Sequence, residues 1–418
     1  MATILYTWEL GGGLGHVTRF SPLAKRLAEN GHRVVTALRH VRLAKKIFGE
    51  LECWAAPHMN WPSHDRIDLP CTFTQILHNV GWSSVEELSS LVDAWRSIIV
   101  ATQPNLLICD HGPAAMLAAR CEGIPYATIG TGFCAPVDES PLRNLRSWMK
   151  VELAKLIADE ERILSNANAV LRDFGAAGLD RLSQLYSDAD EQFLTTYPEL
   201  DHYPNRPAGR FYGVWETEVT GNSFTWPKGN GPKVFCYLKD ATGILETVTF
   251  LKSTGCPTVV FAPEIAAKLQ PCVGPTLSVF NQPLDMNQVR RKCDVAILNA
   301  THATTASMLL SGNPVLSVPL TLEQVILAQR VQDLGAGLGV SPGQPTQFAA
   351  AFQGITRDKR FAQNAQAFAA KHANYDSQKA IAEVVQRIEE LATGTGALSL
   401  NVLNESTIAG SIVQSVLQ

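Results

Sequence analysis

The sequence predicts an α/β protein of two doubly wound domains that face a cleft. Short apolar runs alternate with amphipathic helical segments on both sides of a stretch rich in Pro, Gly and Asn, an order typical of parallel sheets covered by helices. The chain also has 418 residues, which is more than one ordinary hydrophobic core accommodates.

The first βαβ unit is predicted at the start of the chain. The apolar run TILYTW precedes the loop ELGGGLGH, the amphipathic helix TRFSPLAKRLAENG and the strand HRVVTAL. The helical pattern buries Phe20 and Leu23 and exposes Arg19. Further on, PNLLICD, AAMLAARCEG and IPYATIG repeat the order of strand, helix and strand. Residues 141–196 are expected to be largely helical.

The domain boundary is predicted from a change in composition. Pro, Gly and Asn concentrate in PELDHYPNRPAGRFYG and TWPKGNGP, as they do in interdomain connections. Beyond these segments, strands such as KVFCYL, PTVVFAP, DVAILN and PVLSVP alternate with helices, and SQKAIAEVVQRIEELA is amphipathic. We therefore predict an N-terminal domain at residues 1–215, a linker at 216–231, a C-terminal domain at 232–395, and a tail of unknown role at 396–418.

Charge and cysteine content narrow the range of functions. The formal net charge is -4, whereas a protein that grips nucleic acid needs a basic surface, so no nucleic-acid partner is expected. The nine cysteines form no CxxC pair and are expected to be reduced core residues, which favours the cytoplasm. No secretory signal and no apolar stretch of about 20 residues is visible. The oligomeric state is not predicted.

Two motifs, one in each half, carry a family resemblance. GLGHVTRFSPLAKRLAENGHRV and DVAILNATHATTASMLLSGNPVLSVPLTLEQVILAQRVQDLGAGL together resemble the GT-B glycosyltransferases, specifically the inverting enzymes related to UDP-glucosyl and UDP-glucuronosyl transferases. The resemblance covers most of the chain except the tail. It implies two Rossmann-like domains, with an acceptor site in the N-terminal one and a nucleotide-sugar donor, UDP-sugar by default, in the C-terminal one. It also implies transfer to an acceptor hydroxyl without a metal ion or other cofactor.

His16 is the predicted catalytic base. It follows the GGGLG loop at the C-terminal end of the first strand, where open α/β sheets bind ligands, and imidazole removes protons near neutral pH. The resemblance implies that Asp110, at the end of the strand LLIC, orients His16 and stabilises its charged form. The alternatives are a helix-entry role for His16, a capping role for Asp110, and His111 as a rival base.

The glycine loop is predicted to serve the donor sugar. It lacks the last glycine of GxGxxG and the lysine of a P-loop, so a dinucleotide or ATP is not expected. Gly13 and Gly15 are instead predicted to let the backbone approach the reacting sugar, with a tight strand-to-helix turn as the alternative.

The stretch NATHATT, from Asn299 to Thr305, is predicted to cradle the donor diphosphate. It matches only the end of the HGGxGTT pattern of the resembling enzymes, so an uncharged amide replaces the histidine. The helix that follows supplies free N–H groups and a favourable dipole at its N-terminus. We expect Lys239 to compensate for the lost charge, while His302 either turns inward or faces solvent. The residues assigned to the diphosphate are Lys239, Asn299, His302, Ala303, Thr304 and Thr305.

The sugar and the nucleotide base are assigned to later residues. Glu323 and Gln324 match the acidic residue and Gln with which the resembling enzymes hold sugar hydroxyls, and capping of the next helix is the alternative for Glu323. Phe280 is assigned to the base, although Asn281 occupies the position where those enzymes often have an aromatic residue.

Two further signals receive no catalytic role. DAD at residues 188–190 imitates a metal-binding DxD but lies in a polar loop, so a solvated turn is predicted and no metal. PLRNLRSWMKVELAKL at 141–156 is basic and partly apolar, which fits either a solvated helix face or peripheral contact with a membrane or an anionic acceptor. The acceptor itself is unknown, and its pocket is expected in the loops 57–82 and 131–150.

Two other functions fit the same resemblance. An epimerase or hydrolase of nucleotide sugars would share the fold, since fold alone does not determine function. A noncatalytic nucleotide-sugar-binding protein would account for the altered HGG pattern.

Overall fold

The computed structural model describes residues 1–13, 15–59, 65–207, 209–215 and 221–394. The first part of the predicted linker, 216–220, and the predicted tail at 396–418 lie outside the described residues.

Seven parallel strands form the sheet of the N-terminal domain. They are β1 Thr3–Trp8, β2 Arg33–Leu38, β3 Glu52–Ala55, β4 Leu106–Asp110, β5 Tyr126–Gly130, β6 Glu191–Leu194 and β7 Arg210–Phe211. Their order across the sheet is β3-β2-β1-β4-β5-β6-β7. The order therefore reverses between β1 and β4, which is the place where ligands bind in such sheets.

Helices cover this sheet. They are α1 Gly15–Glu29, α2 Ala44–Phe48, α3 Phe73–Leu77, α4 Val85–Thr102, α5 Pro113–Glu122, α6 Leu153–Asp173 and α7 Gln184–Ser187. Phe20 and Leu23 of α1 are buried as predicted. The prediction of an exposed Arg19 is wrong, because its side chain is only 15% exposed and pairs with a buried carboxylate. Residues 141–196 are less helical than predicted, because α6 and α7 cover less than half of this range and EQFL extends the parallel sheet as β6.

The C-terminal domain has a second parallel sheet with six strands. They are β8 Val234–Tyr237, β9 Thr258–Phe261, β10 Leu277–Phe280, β11 Val295–Leu298, β12 Val315–Ser317 and β13 Gly337–Gly339, in the order β10-β9-β8-β11-β12-β13. The helices that follow the linker are α8 Ile244–Ser253, α9 Met286–Lys292, α10 His302–Leu310, α11 Leu322–Asp333, α12 Pro345–Arg357, α13 Lys359–Lys371 and α14 Ser377–Thr393. The predicted architecture of two doubly wound domains is confirmed.

Helix α14 packs on the N-terminal domain. Its apolar residues Ile381, Val384 and Ile388 join the core cluster built by β1 and α1, and Arg387 Nε donates to Glu191 Oε2 over 3.0 Å. The sequence-based boundaries group this segment with the C-terminal domain, because an amphipathic pattern reveals an apolar face but not which sheet covers it. In the described ranges, no helix combines the length and apolar character required to traverse a bilayer.

Candidate active site

Loops at the carboxyl ends of the two sheets contact each other. Thr131 follows β5, and its hydroxyl donates to Glu323 Oε1 in the first turn of α11 over 3.2 Å. Thr196 follows β6, and its Oγ1 lies 2.8 Å from Nε2 of His302, the first residue of α10. Glu323 and His302, both predicted to bind the donor, thus contact loops at the carboxyl end of the N-terminal sheet. The predicted base His16 lies at the same end of that sheet.

The structure brings His16 and Asp110 together. His16 Nδ1 lies 2.9 Å from Asp110 Oδ1, while Tyr6 Oη and Arg19 Nη1 each donate to Oδ2 over 3.0 Å. Because a carboxylate only accepts, Nδ1 carries the proton of His16 and Nε2 is left as the basic nitrogen. The Asp110 side chain is buried, which by itself raises its pKa, but the neighbouring His16 and Arg19 and the hydrogen bonds lower that pKa to about 2. Asp110 is therefore an anion throughout the physiological range.

The surroundings of His16 leave its basic nitrogen accessible. Its ring stacks on Trp8, with centroids 5.0 Å apart, and its side chain is 14% exposed. Gly11 has a φ of +81°, and a Cβ there would lie 3.0 Å from His16 Nε2, so glycine at this position keeps the approach to the base open. Gly13 has a φ of +98°, and a Cβ at Gly13 or Gly15 would meet nothing within 4 Å. That space is compatible with the predicted approach of the sugar.

The surroundings of His111 make it unsuited to act as the base. Its ring lies among His16, Phe73 and Phe133, and its Nε2 is buried without a hydrogen-bond partner. Burial, followed by the nearby His16, lowers the pKa of His111 to about 4. Among the hydrogen bonds of the described residues, no carboxylate accepts from the His111 ring. The pairing of His16 with Asp110 therefore favours His16 as the base.

The turn predicted to bind the donor leads into a helix whose N-terminus has no side-chain cap. Thr301 precedes α10 but makes no side-chain capping hydrogen bond, and the hydroxyls of Thr301 and Thr305 are buried without a partner. Ala303 is exposed and Thr304 half-buried. Since the first N–H groups of a helix have no intrahelical acceptor, this turn offers hydrogen-bonding N–H groups to an anion.

Asn299 has a role that the sequence did not reveal. It is only 2% exposed, its Oδ1 accepts from the Lys239 N–H over 2.7 Å, and its Nδ2 donates to Val318 O over 2.7 Å. The amide thus braces the ends of β8, β11 and β12. In this arrangement it does not present the phosphate contact assigned to it. The half-buried Lys239 is held beside the turn through its own backbone.

The other donor residues lie on separate elements. Gln324 Oε1 accepts from the Leu320 N–H over 2.7 Å, and the cap of α11 is Thr321 rather than Glu323. Glu323 lies in the first turn of α11, where its charge suits the helix dipole as the capping alternative supposes. Its carboxylate also accepts from Thr131 of the N-terminal domain. Phe280 ends β10 and packs on Phe224 with ring centroids 5.9 Å apart.

The DAD segment is engaged in structural contacts. Asp188 pairs with Arg120 over 2.9 Å, and Asp190 Oδ2 accepts from the Tyr126 N–H over 3.0 Å. Within the described part of the chain, no group of three or more His, Cys, Asp or Glu residues is arranged to hold a metal ion.

Sequence reasoning missed several polar residues of this site. Arg19 lies three positions after His16 and so shares its helix face, a signal that could have placed it near Asp110. Tyr6, Thr131 and Thr196 gave no such signal, because their partners lie on distant segments and only the fold brings them together.

The comparisons with known proteins come from sequence and structure. No family model matches the chain. It is 26% identical over 273 residues to the PGL/p-HBAD biosynthesis rhamnosyltransferases of Mycobacterium bovis and Mycobacterium tuberculosis. The match covers 61% of this chain and 60% of those relatives.

Solved structures resemble nearly the whole chain. The Streptomyces sp. SF2575 glycosyltransferase SsfS6 has a TM-score of 0.63 at 18% identity, covering 93% of this chain and 100% of that one. The calicheamicin glycosyltransferase CalG4 has a TM-score of 0.66 at 17% identity, covering 94% and 99%. The spinosyn rhamnosyltransferase SpnG has a TM-score of 0.62 at 14% identity, covering 93% and 100%.

The chain has the GT-B fold. The predicted resemblance is thereby confirmed at the level of the fold, over both domains. In this GT-B protein, the His16–Asp110 pair lies in the N-terminal domain and the turn before α10 lies in the C-terminal domain.

Proposed function

We propose that this chain is an inverting glycosyltransferase that moves a sugar from a nucleoside diphosphate donor to an acceptor hydroxyl. The observation that carries the proposal is the hydrogen bond from His16 Nδ1 to the buried Asp110 carboxylate. In the same domain, Thr196 after β6 contacts His302, the first residue of α10. The Mycobacterium relatives are named as rhamnosyltransferases, which supports the proposal.

The base step uses the free nitrogen of His16. Nε2 takes the proton of the acceptor hydroxyl while the acceptor oxygen bonds to the anomeric carbon and the bond from that carbon to the diphosphate breaks. The imidazolium that forms is stabilised by Asp110, which Tyr6 and Arg19 hold in place. Attack opposite the leaving group inverts the anomeric centre.

The leaving diphosphate is stabilised by the C-terminal domain. The N–H groups of Ala303 and Thr304 lie in the first turn of α10, where the helix dipole favours negative charge. Lys239 at the end of β8 is the proposed cation, and we propose that these groups act without a metal ion.

The sugar and base contacts follow the same division. Glu323 and Gln324 would hold sugar hydroxyls, with Thr131 orienting the Glu323 carboxylate. Phe280 would contact the base. UDP is the default nucleotide, and thymidine diphosphate is its nearest competitor because the SsfS6 and SpnG structures include complexes with it.

We also propose contact with an anionic membrane surface and a cytoplasmic location. In the segment predicted for this contact, Trp148 is 52% exposed and Leu153 is 61% exposed, beside the exposed Lys150, a composition suited to the membrane interface. All nine cysteines are free, which agrees with a reducing compartment. Sedimentation with phosphatidylserine vesicles should fall in the double variant Trp148→Ala/Leu153→Ala but not in Leu245→Ala. Equal binding of all three would contradict the surface.

The test of the catalytic proposal begins with binding. Calorimetric titration with UDP, thymidine diphosphate and GDP, with and without magnesium, should give saturable binding of one nucleotide that does not require the metal. An acceptor screen with the matching sugar donor, read by mass spectrometry, should then give a glycosylated product. His16→Ala should retain nucleotide affinity within about threefold and lose turnover by about 10²–10⁴-fold.

Other outcomes would identify the rival functions. Release or isomerisation of the sugar without any acceptor would indicate a hydrolase or epimerase. Binding without turnover across the screen, with the same result for His16→Ala, would indicate a noncatalytic binding protein. No binding of any nucleotide would refute the donor site.

A further inference from the structure

The first residue of α10 reaches across to the other domain. His302 Nε2 lies 2.8 Å from Thr196 Oγ1, two residues beyond the end of β6. The ring of His202, whose Nδ1 lies 3.1 Å from Thr131 O, stacks beside it with centroids 6.1 Å apart. The His302 ring is therefore held between the helix that begins at the donor turn and the N-terminal domain.

The surroundings of His302 favour the neutral form of its imidazole. Burial lowers its pKa well below the ordinary value, and the nearby His202 and Arg19 lower it further. A neutral imidazole has one ring nitrogen that donates and one that accepts. The Thr196 hydroxyl has a longer contact of 3.4 Å to Tyr197 O, to which it can donate, and a shorter one of 2.8 Å to Nε2. Its single proton can be directed at either acceptor, so the pair with His302 is compatible with two tautomers.

An anion at the turn selects one of these tautomers. If Thr196 donates to Nε2, Nδ1 carries the proton and can donate. In the other tautomer, Nδ1 presents a lone pair, which would repel an anion. Nδ1 is also the ring nitrogen nearer to the backbone of its own residue, and that backbone is the first turn of α10, where Thr301 and Thr305 have unpaired buried hydroxyls.

We propose that His302 supplies a side-chain N–H to the donor diphosphate through Nδ1, and that Thr196 of the opposite domain positions the ring and fixes its tautomer. This inference rests on the proposed donor site. It also supplies the side-chain contact to the diphosphate that Asn299 does not make while it hydrogen-bonds to the backbone of Lys239 and Val318. Since the contact to Thr196 crosses the cleft, loss of a hydroxyl that touches no nucleotide weakens nucleotide binding.

Two substitutions of His302 separate its ring nitrogens. The amide nitrogen of Asn takes the position of Nδ1, whereas that of Gln takes the position of Nε2. His302→Gln should weaken binding of UDP or thymidine diphosphate, whichever the unaltered chain binds, by about tenfold or more, since a hydrogen bond to a charged group is lost. His302→Asn should remain within about threefold of the unaltered chain. The free nucleoside, which has no phosphate, should bind all variants alike.

A second pair tests Thr196 as a positioning residue. Thr196→Val removes the hydroxyl at nearly constant volume and should weaken diphosphate binding about threefold to tenfold, while Thr196→Ser should restore it. The matched control is Thr195→Val, because the buried Thr195 hydroxyl has no hydrogen-bond partner. Thermal unfolding of each variant checks that the fold is retained.

The outcomes distinguish this inference from the function on which it rests. Wild-type affinity in His302→Gln, or equal losses in His302→Gln and His302→Asn, would overturn the role of Nδ1. Equal affinities of Thr196→Val and Thr195→Val would overturn the positioning role of Thr196. Absence of nucleotide binding by the unaltered chain would instead refute the donor site itself.

Discussion

The buried Glu9 predicts a pH-dependent contribution to stability. It follows β1, its Oε2 accepts from the N–H groups of Ala114 over 2.9 Å and Ala115 over 3.4 Å, and its Oε1 is buried without a partner. Burial outweighs those hydrogen bonds and the nearby Arg39, and it raises the pKa of Glu9 from 4.5 to about 8. The folded chain therefore binds a proton here that the unfolded chain has released at neutral pH.

The sign and size of the effect follow from proton linkage. A carboxyl whose pKa is raised on folding contributes stability that is complete below its unfolded pKa and is lost as the pH rises through its folded pKa. Each pKa unit corresponds to about 1.4 kcal/mol, so moving the pKa from 4.5 to about 8 corresponds to about 5 kcal/mol once the carboxyl is ionised in both states. Glu9→Gln keeps the shape of the side chain and removes the titration.

Urea unfolding of wild type and Glu9→Gln between about pH 5 and pH 8 measures this difference. The stability of wild type relative to the variant should fall by about 1.4 kcal/mol per pH unit across that window. Glu29→Gln, at the exposed end of α1, is the matched control and should track wild type. Parallel pH profiles for wild type and Glu9→Gln would refute a protonated Glu9.

Three further substitutions test the site. Asp110→Asn should lower kcat by about 10–150-fold, since a hydrogen bond to the imidazolium contributes about 1.5–3 kcal/mol. Nucleotide affinity measured by calorimetry should be unchanged, and a wild-type kcat in this variant would remove Asp110 from the mechanism. Gly11→Ala should lower the free energy of unfolding by about 1–2 kcal/mol because its φ is +81°, and should also reduce kcat through contact with His16. Asn299→His should lower the free energy of unfolding by about 2–4 kcal/mol, because two buried backbone groups lose their partner. A gain in diphosphate affinity instead would contradict the bracing role.

The pairing of His16 with Asp110 was predicted from the family resemblance, and the strand order explains it. His16 lies after β1 and Asp110 is the last residue of β4, and the doubly wound order makes these two strands neighbours. Arg19 was assigned to solvent because helix periodicity describes faces and not the reach of a long side chain, which here turns back to a buried carboxylate. The position of α14 was missed for a related reason, since its apolar stripe fits either sheet.

The turn at residues 299–301 differs from the HGGxGTT pattern in its side chains. Ala300 occupies a glycine position of the HGGxGTT pattern, yet it has a φ of +51° and is 2% exposed. That backbone conformation costs an alanine about 1 kcal/mol or more, so the burial of its methyl group and the Asn299 brace must hold it there. The path of the turn therefore includes a left-handed bend that glycine would adopt easily and that alanine adopts here. An anion-binding helix N-terminus depends on that path, whereas a charged or polar side chain can come from another position, and His302 already lies on the first turn of the same helix.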